Sequence, residues 1–369
     1  MAPPSYSQFA AVQVQVQGEQ IKPPHCGSAH LLDADEFRRQ GHQVVDFIAD
    51  YYARMDEYPV HPSVTPGFLR RQLPEEVPLR PEPGAFAAAL RDVRDLMLPG
   101  MTHWQSPRHF AHFPASGSTV GALGEALTAG INVVPFTAAT ELEMVVVDWL
   151  GKALHLPESL LFCGGGGGTL LGTSCEAILS SRRSEAAGRG SATSSSTAPT
   201  RPTSPSPRPR ASPASRATTA ARSRRHLRAA MRADADAGLV PLFVCATVGT
   251  TQTTAVDPVR ELCAVAAAHG AWVHVDAAYA GSALVCPELA HVMIAGAEAV
   301  DSFSMNAHKW LLANNDCCAL WVRKPSLLVA ALGTESEYIL KDAAAEGGDV
   351  VDYKDWSVTL TRRFHALKL

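Results

Sequence analysis

From Ser180 to Arg225 the chain contains no Val, Ile, Leu, Met or aromatic residue, only Ser, Arg, Ala, Thr, Pro, Gly and one Glu. Such a stretch cannot bury enough apolar surface to offset the entropy of ordering it. Any core must therefore come from the flanks, residues 31 to 179 and 227 to 369, with order resuming at about Leu227. The tract carries ten Arg and one Glu, a charge of +9, so the remainder carries −13 of the overall −4. An acidic bulk offers no footprint for nucleic acid. The tract alone reads either as a basic linker able to bind RNA or as a GC-rich coding stretch translated in the wrong frame.

The chain as a whole, 369 residues with 46% hydrophobic and 18% charged side chains, still reads as a globular protein able to bury a sizeable core. Residues 1–30, with Pro3-Pro4 and Pro23-Pro24, read as a loose tail. Residues 31–100 read as a helical segment. One helix starts at Asp33 and carries Phe37, Val44, Val45, Ile48 and Tyr52 on one face, and a second runs from about Gly84 to Met97. Residues 101–369 read as one larger domain. Glu141–Leu154 and Val256–Ala268 have helical periodicity, while Leu239–Cys245, Trp272–Val275, Val300–Met305 and Cys317–Val322 are short apolar runs suited to buried strands. This alternation implies an α/β fold with a largely parallel sheet. The glycines of Gly164–Gly168 are expected to form a turn entering a helix, where backbone amides can cradle a phosphate. His103, His109 and His112 lack a second matched ligand cluster, so no metal is expected and a packed loop is the better reading. The eight cysteines form no Cys-x-x-Cys pair, which suits free thiols in a reducing compartment. With no long apolar span and no leader pattern, a cytoplasmic protein without a membrane segment is expected.

Chemistry concentrates in two places. In Ser304-Met-Asn-Ala-His308-Lys309-Trp310 a lysine follows an apolar run. Such a lysine is ordinarily a strand-end residue with its head in water, but desolvation there would leave a free amine able to attack a carbonyl. In His274-Val-Asp276-Ala-Ala-Tyr279-Ala-Gly281 a carboxylate ends a second apolar run beside small residues that admit a flat ring. Alone, Asp276 reads as a cap or turn residue. Together, the amine, the carboxylate and the glycine-rich segment ending Thr173-Ser174-Cys175-Glu176-Ala177 resemble the group II pyridoxal-dependent decarboxylases, most closely the plant aromatic-L-amino-acid decarboxylases.

That resemblance implies a fold-type I large domain and pyridoxal 5'-phosphate as cofactor. Lys309 would hold the cofactor covalently, and Asp276 would keep its ring nitrogen protonated. Ser174 and Cys175 would meet its phosphate, with Thr247, Ala278, Asn306 and His308 around it. The pocket for the substrate's aromatic ring would comprise His112, Phe113, Pro114 and Ala115. Phe136 would reach into the neighbouring site of a homodimer, and Tyr338, on a mobile lid, would deliver the proton that completes the reaction. The implied activity is decarboxylation of an aromatic L-amino acid, tyrosine or DOPA before tryptophan. The related aldehyde synthases usually carry Phe where this chain has Tyr338; a non-catalytic product is the third reading. The chain departs from the family pattern at three points. About six residues are missing between Phe136 and Thr140, the ring-stacking histidine has no counterpart before His226, and the family's small C-terminal domain is absent. On those grounds the chain as it stands is expected to be inactive or nearly so, with apolar sheet faces left uncovered by the tract.

Overall fold

The computed structural model describes residues 33–76, 80, 82–110, 113, 115–132, 138–188, 216–333, 351–359 and 361–369. The chain divides into a unit ending at Thr102 and a unit beginning at His103. In the first, α1 (Ala34–Ala53) starts where the Asp33 carboxylate accepts the amides of Asp35 and Glu36 at 3.0 and 2.8 Å, satisfying two of the helix's orphan donors. Phe37, Val45, Ile48 and Tyr52 on this helix are exposed. After it, α2 (Ala85–Asp92) passes into a π-helical turn at Val93–Met97.

In the second unit, α3 (Thr119–Ile131) and α4 (Ala138–Ala153) precede β1 (Gly167–Leu171) and α5 (Ser174–Gly188). Then follow α6 (Arg216–Asp236), β2 (Phe243–Thr247), α7 (Val259–Ala267), β3 (Trp272–Asp276), α8 (Pro287–Met293), β4 (Ser302–Asn306), the single turn α9 (Ala307–Trp310), β5 (Cys318–Val322) and α10 (Pro325–Leu332). The five strands form one sheet in the order β1-β5-β4-β3-β2. β2, β3 and β4 are parallel, and β5 is antiparallel to both of its neighbours. All the strands but β5 therefore point the same way, as the largely parallel sheet expected of the sequence requires.

Alternation along the strands gives the sheet two unlike faces. One presents Val244, Ala246, Val273, Val275, Phe303, Met305, Ala319 and Trp321, all buried in a single apolar cluster with Val259, Leu262 and Val265 of α7. The other presents Trp272, His274 and Asp276 of β3 and Ser302, Ser304 and Asn306 of β4, with His274 opposite Ser302 and Asp276 opposite Ser304. α5 and α10 cover this second side, where Ala177, Cys318, Leu320, Val322, Leu328 and Leu332 make a smaller cluster.

Three expectations from the sequence are corrected here. The glycine run turns into a strand rather than a helix: Gly164 and Gly165 close a turn after Phe162, Gly167 and Gly168 belong to β1, and only Gly172 and Thr173 separate that strand from α5. Packing demands the glycine, since a Cβ on Gly168 would lie 2.5 Å from Val147 and 2.7 Å from the Leu320 carbonyl. The tract is not devoid of core, because α5 runs through Ser180, Ser181 and Ser184, all fully buried. Their burial is tolerable where hydroxyls return to their own helix: Ser181 donates to the Ala177 carbonyl and Ser184 to the Ser180 carbonyl, each at 2.9 Å. The tract's first residues thus cover the sheet rather than exposing it. At its other end, α6 begins at Arg216, ahead of the expected Leu227, in an Ala- and Arg-rich segment of high helix propensity. Leu227 packs against the apolar cluster and Met231 lies within it.

Candidate active site

The strand registers bring the sequence-predicted residues to one edge of the sheet. Thr247 pairs with Asp276, Asp276 with Ser304, Asn306 with Cys318, and Cys318 with Leu171, three residues before Ser174. Crevices outside the carboxyl ends of strands are where open α/β sheets bind ligands.

Lys309 sits on α9, the turn that leaves β4 at this edge. Its Nζ lies 4.9 Å from the centre of the Phe113 ring, within range of a cation–π contact. Burial lowers the pKa of this lysine, while Asp276 first, then Cys318 and Cys175, oppose the shift. A desolvated ammonium gives up its proton more readily, which makes the amine a better nucleophile. Asp276 is held by the Ala278 amide, which donates to its Oδ1 at 3.0 Å, while its own carbonyl accepts from Val248 at 2.9 Å. Gly249 then turns with φ +82°, and a Cβ there would come 2.0 Å from that of Ala280. Only glycine lets the Thr247 loop approach the Asp276 loop so closely. Thr247 is pinned by Asp257, whose Oδ2 accepts its amide at 2.9 Å.

His308 is buried, with Nδ1 2.9 Å from both the carbonyl and the amide nitrogen of Cys317. Burial lowers its pKa, opposed by the Cys317 contact. The ring thus ties the Lys309 turn to the start of β5. At the start of α5, Thr173 Oγ1 accepts the Glu176 amide at 3.3 Å and Glu176 reaches back to the Gly172 amide at 3.3 Å. This arrangement leaves the Ser174 and Cys175 amides with no intrahelical acceptor. Its Thr-x-x-Glu signature was readable in the sequence as a helix start. Asn306 is buried, and its Oδ1 has no hydrogen-bond partner.

The aromatic loop before α3 packs on itself, with Trp104 4.8 Å from His109 and 5.2 Å from Phe113 between ring centres. Ala115 is half-buried, and its carbonyl accepts from Gln105. His112, Pro114, Phe136 and Tyr338 lie outside the described residues. Two features were missed in the sequence. Cys318, buried on β5 opposite Asn306, is held as a neutral thiol by burial, and Trp310 stacks on Tyr279 at 5.6 Å, joining the turn of Lys309 to the loop after Asp276. Nothing in their local pattern marks either.

These residues fit pyridoxal phosphate. There is a carboxylate for the ring nitrogen, a desolvated amine for the aldehyde, two free helix amides and a serine hydroxyl for the phosphate, and a buried amide oxygen lacking a protein partner. Among the described residues no group of His, Cys, Asp or Glu is arranged to hold a metal ion.

Comparison with known proteins agrees. The chain is 68% identical over 379 residues to a tyrosine decarboxylase of Oryza sativa subsp. japonica, covering 96% of this chain and 71% of that one. It is 50% identical over 361 residues to L-tyrosine/L-DOPA decarboxylase 2 of Lophophora williamsii, covering 92% and 68%. The crystal structure of Oryza sativa TDC with PLP and tryptamine superposes with a TM-score of 0.80 at 40% identity, covering 92% of this chain and 74% of that one. The pyridoxal-dependent decarboxylase conserved domain matches residues 66–184 and 217–369, and with Lys309 and Asp276 meeting at one sheet edge, the chain belongs to the pyridoxal-dependent decarboxylase family.

Proposed function

We propose that this chain removes the α-carboxylate of an aromatic L-amino acid, tyrosine or DOPA ahead of tryptophan, releasing CO2 and the amine. The observation that carries this reading is the desolvated amine of Lys309, facing Asp276 across the carboxyl ends of β3 and β4. Pyridoxal phosphate, when bound, supplies the electron sink for the pair left behind as CO2 departs. Lys309 would hold it through Nζ, and Asp276 would keep its ring nitrogen protonated. Ser174 and Cys175 would bind its phosphate, Thr247, Ala278 and Asn306 would surround it, and His308 fixes the turn that carries Lys309. Phe113 and Ala115 would bound the substrate ring; the family resemblance would add His112 and Pro114 to that pocket and would have Tyr338 return a proton to Cα.

Phe136 completes the site of a second copy in a homodimer. Support for such a pairing comes from α3, where Val120, Leu123, Leu127 and Ile131 stand exposed at helical spacing, an unpartnered apolar stripe of the kind that interfaces cover. The free cysteines Cys163, Cys175, Cys245, Cys263, Cys286, Cys317 and Cys318 suit a cytoplasmic setting. The test is to assay the purified chain with pyridoxal phosphate for CO2 and amine formed from tyrosine, DOPA and tryptophan. A bound cofactor with no CO2 from any of the three would overturn the reading.

A further inference from the structure

His274 lies fully buried on β3, two residues before Asp276, and takes no part in the chemistry above. Both its ring nitrogens reach across to β4: Nδ1 is 2.8 Å from Ser302 Oγ, and Nε2 is 3.1 Å from Ser304 Oγ. The indole N–H of Trp272 donates to the same Ser302 oxygen at 2.8 Å. An indole can only donate, so Ser302 Oγ accepts from Trp272 and keeps its own proton and a second lone pair for the imidazole. Each ring nitrogen of His274 thus faces a serine hydroxyl of β4 that is able to donate or accept. From α5, Ser181 Oγ comes within 3.4 Å of Nδ1 while donating to the Ala177 carbonyl. Phe243 lies nearly parallel to the imidazole at 6.1 Å, with an interplanar angle of 21°. Burial pushes the pKa of this ring down to about 3, so it stays neutral throughout the physiological range.

Ser304 is where this network meets the site. Its side chain is held by His274, its Cα is the register partner of Asp276, and its carbonyl accepts the Ala277 amide at 2.9 Å. Apolar side chains would fill the same space without desolvating polar groups, whereas a fully satisfied polar network fixes one arrangement of its members. We propose that His274 is a positioning residue for the cofactor-binding carboxylate: by holding Ser304 through Nε2, it fixes the Ser304–Ala277 rung and thereby the aim of Asp276 at the ring nitrogen of pyridoxal phosphate. The proposal rests on the role given above to Asp276.

The test uses the full chain with His274→Gln, Ser304→Ala and the double substitution. Pyridoxal phosphate is titrated into each apoprotein by its visible absorption, and the melting temperature of each apoprotein is recorded. Each single variant is expected to weaken cofactor binding roughly tenfold and to shift the absorption maximum. The double variant should be no weaker than the worse single one, because both break the same connection. Should His274→Gln fail to fold, Ser304→Ala, which leaves the imidazole bonded to Ser302, decides by the same two readouts. A fall in melting temperature with affinity and absorption maximum unchanged, or losses that multiply in the double variant, would overturn the positioning role. Unaffected variants beside a wild-type chain that binds the cofactor refute this inference alone, whereas a wild-type chain that binds none refutes the proposed function with it.

Discussion

The two faces of the sheet are built from the same strands and meet opposite needs. Toward α7, Val273, Val275, Phe303, Met305 and Trp321 make an apolar layer with no role in the chemistry. Toward α5, the alternate residues of the same strands are Trp272, His274, Asp276, Ser302, Ser304 and Asn306, which are polar apart from the indole ring and almost all hydrogen-bonded. The first face supplies burial, and the second supplies direction. Stability and catalysis are thereby separated by a one-residue step along each strand, so that substitutions at neighbouring positions should fail in different ways.

The largest effect is expected at the rim of the polar face. Lys309→Ala should cut amine formation by at least about 10³-fold and remove the borohydride-reducible label from the Lys309 peptide; a label persisting on another lysine would place the anchor elsewhere. On the apolar face, Phe303→Ala should cost roughly 3–5 kcal/mol of stability, read as a lower urea midpoint, with cofactor affinity per folded molecule unchanged. A third difference appears on acidification. The unfolded chain protonates His274 near its ordinary 6.5, whereas the folded chain holds the ring neutral down to about 3. The stability linked to this ring is therefore whole above pH 6.5 and is lost as the pH falls toward 3, with a slope of about 1.4 kcal/mol per pH unit. His365, pushed down to about 4 by burial, adds to the same trend. His274→Gln should flatten the fall in melting temperature between pH 6 and 4, and an unchanged slope would assign acid sensitivity to other groups. The smallest effect belongs to Ser184→Ala. Its hydroxyl only returns to its own helix, so stability should move by less than about 1 kcal/mol in chemical unfolding.

Much of this arrangement could be read in the sequence where the signal is local. The apolar runs marked β2 to β5 but not β1, Asp33 marked the start of α1, and the His-Lys and Asp-Ala-Ala-Tyr motifs pointed to the edge where they meet. The errors arose where a residue's meaning depends on a distant partner. Glycine in β1 is required by Val147 and Leu320 rather than by a turn. Buried serines in α5 are acceptable because Ser181 and Ser184 donate to carbonyls of their own helix, and Ser181 in addition lies within 3.4 Å of His274. His274 reads as an ordinary strand residue until β4 lies beside it. The same holds for Arg362, which donates to Glu143 Oε1 at 2.6 Å and to the Leu170 carbonyl at 2.7 Å across more than half the chain.

The position of β1 at the sheet edge beyond β5 has a consequence for how the molecule is made. During synthesis at roughly 5–20 residues per second, Gly167–Leu171 would wait on the order of ten seconds or more for Cys318–Val322 to be translated. In the folded protein Glu143 of α4 accepts the Leu170 amide at 2.9 Å and the Thr169 hydroxyl at 3.1 Å through Oε1, and Arg362, translated later still, neutralises that carboxylate. Pulse-labelled amide exchange during refolding should find β1 protected after β3 and β4; protection of β1 ahead of them would mean that the edge is organised without its neighbour. A nascent chain released before β5 would present an unpaired strand and a buried carboxylate lacking its counter-ion, the kind of species that chaperones and proteases select.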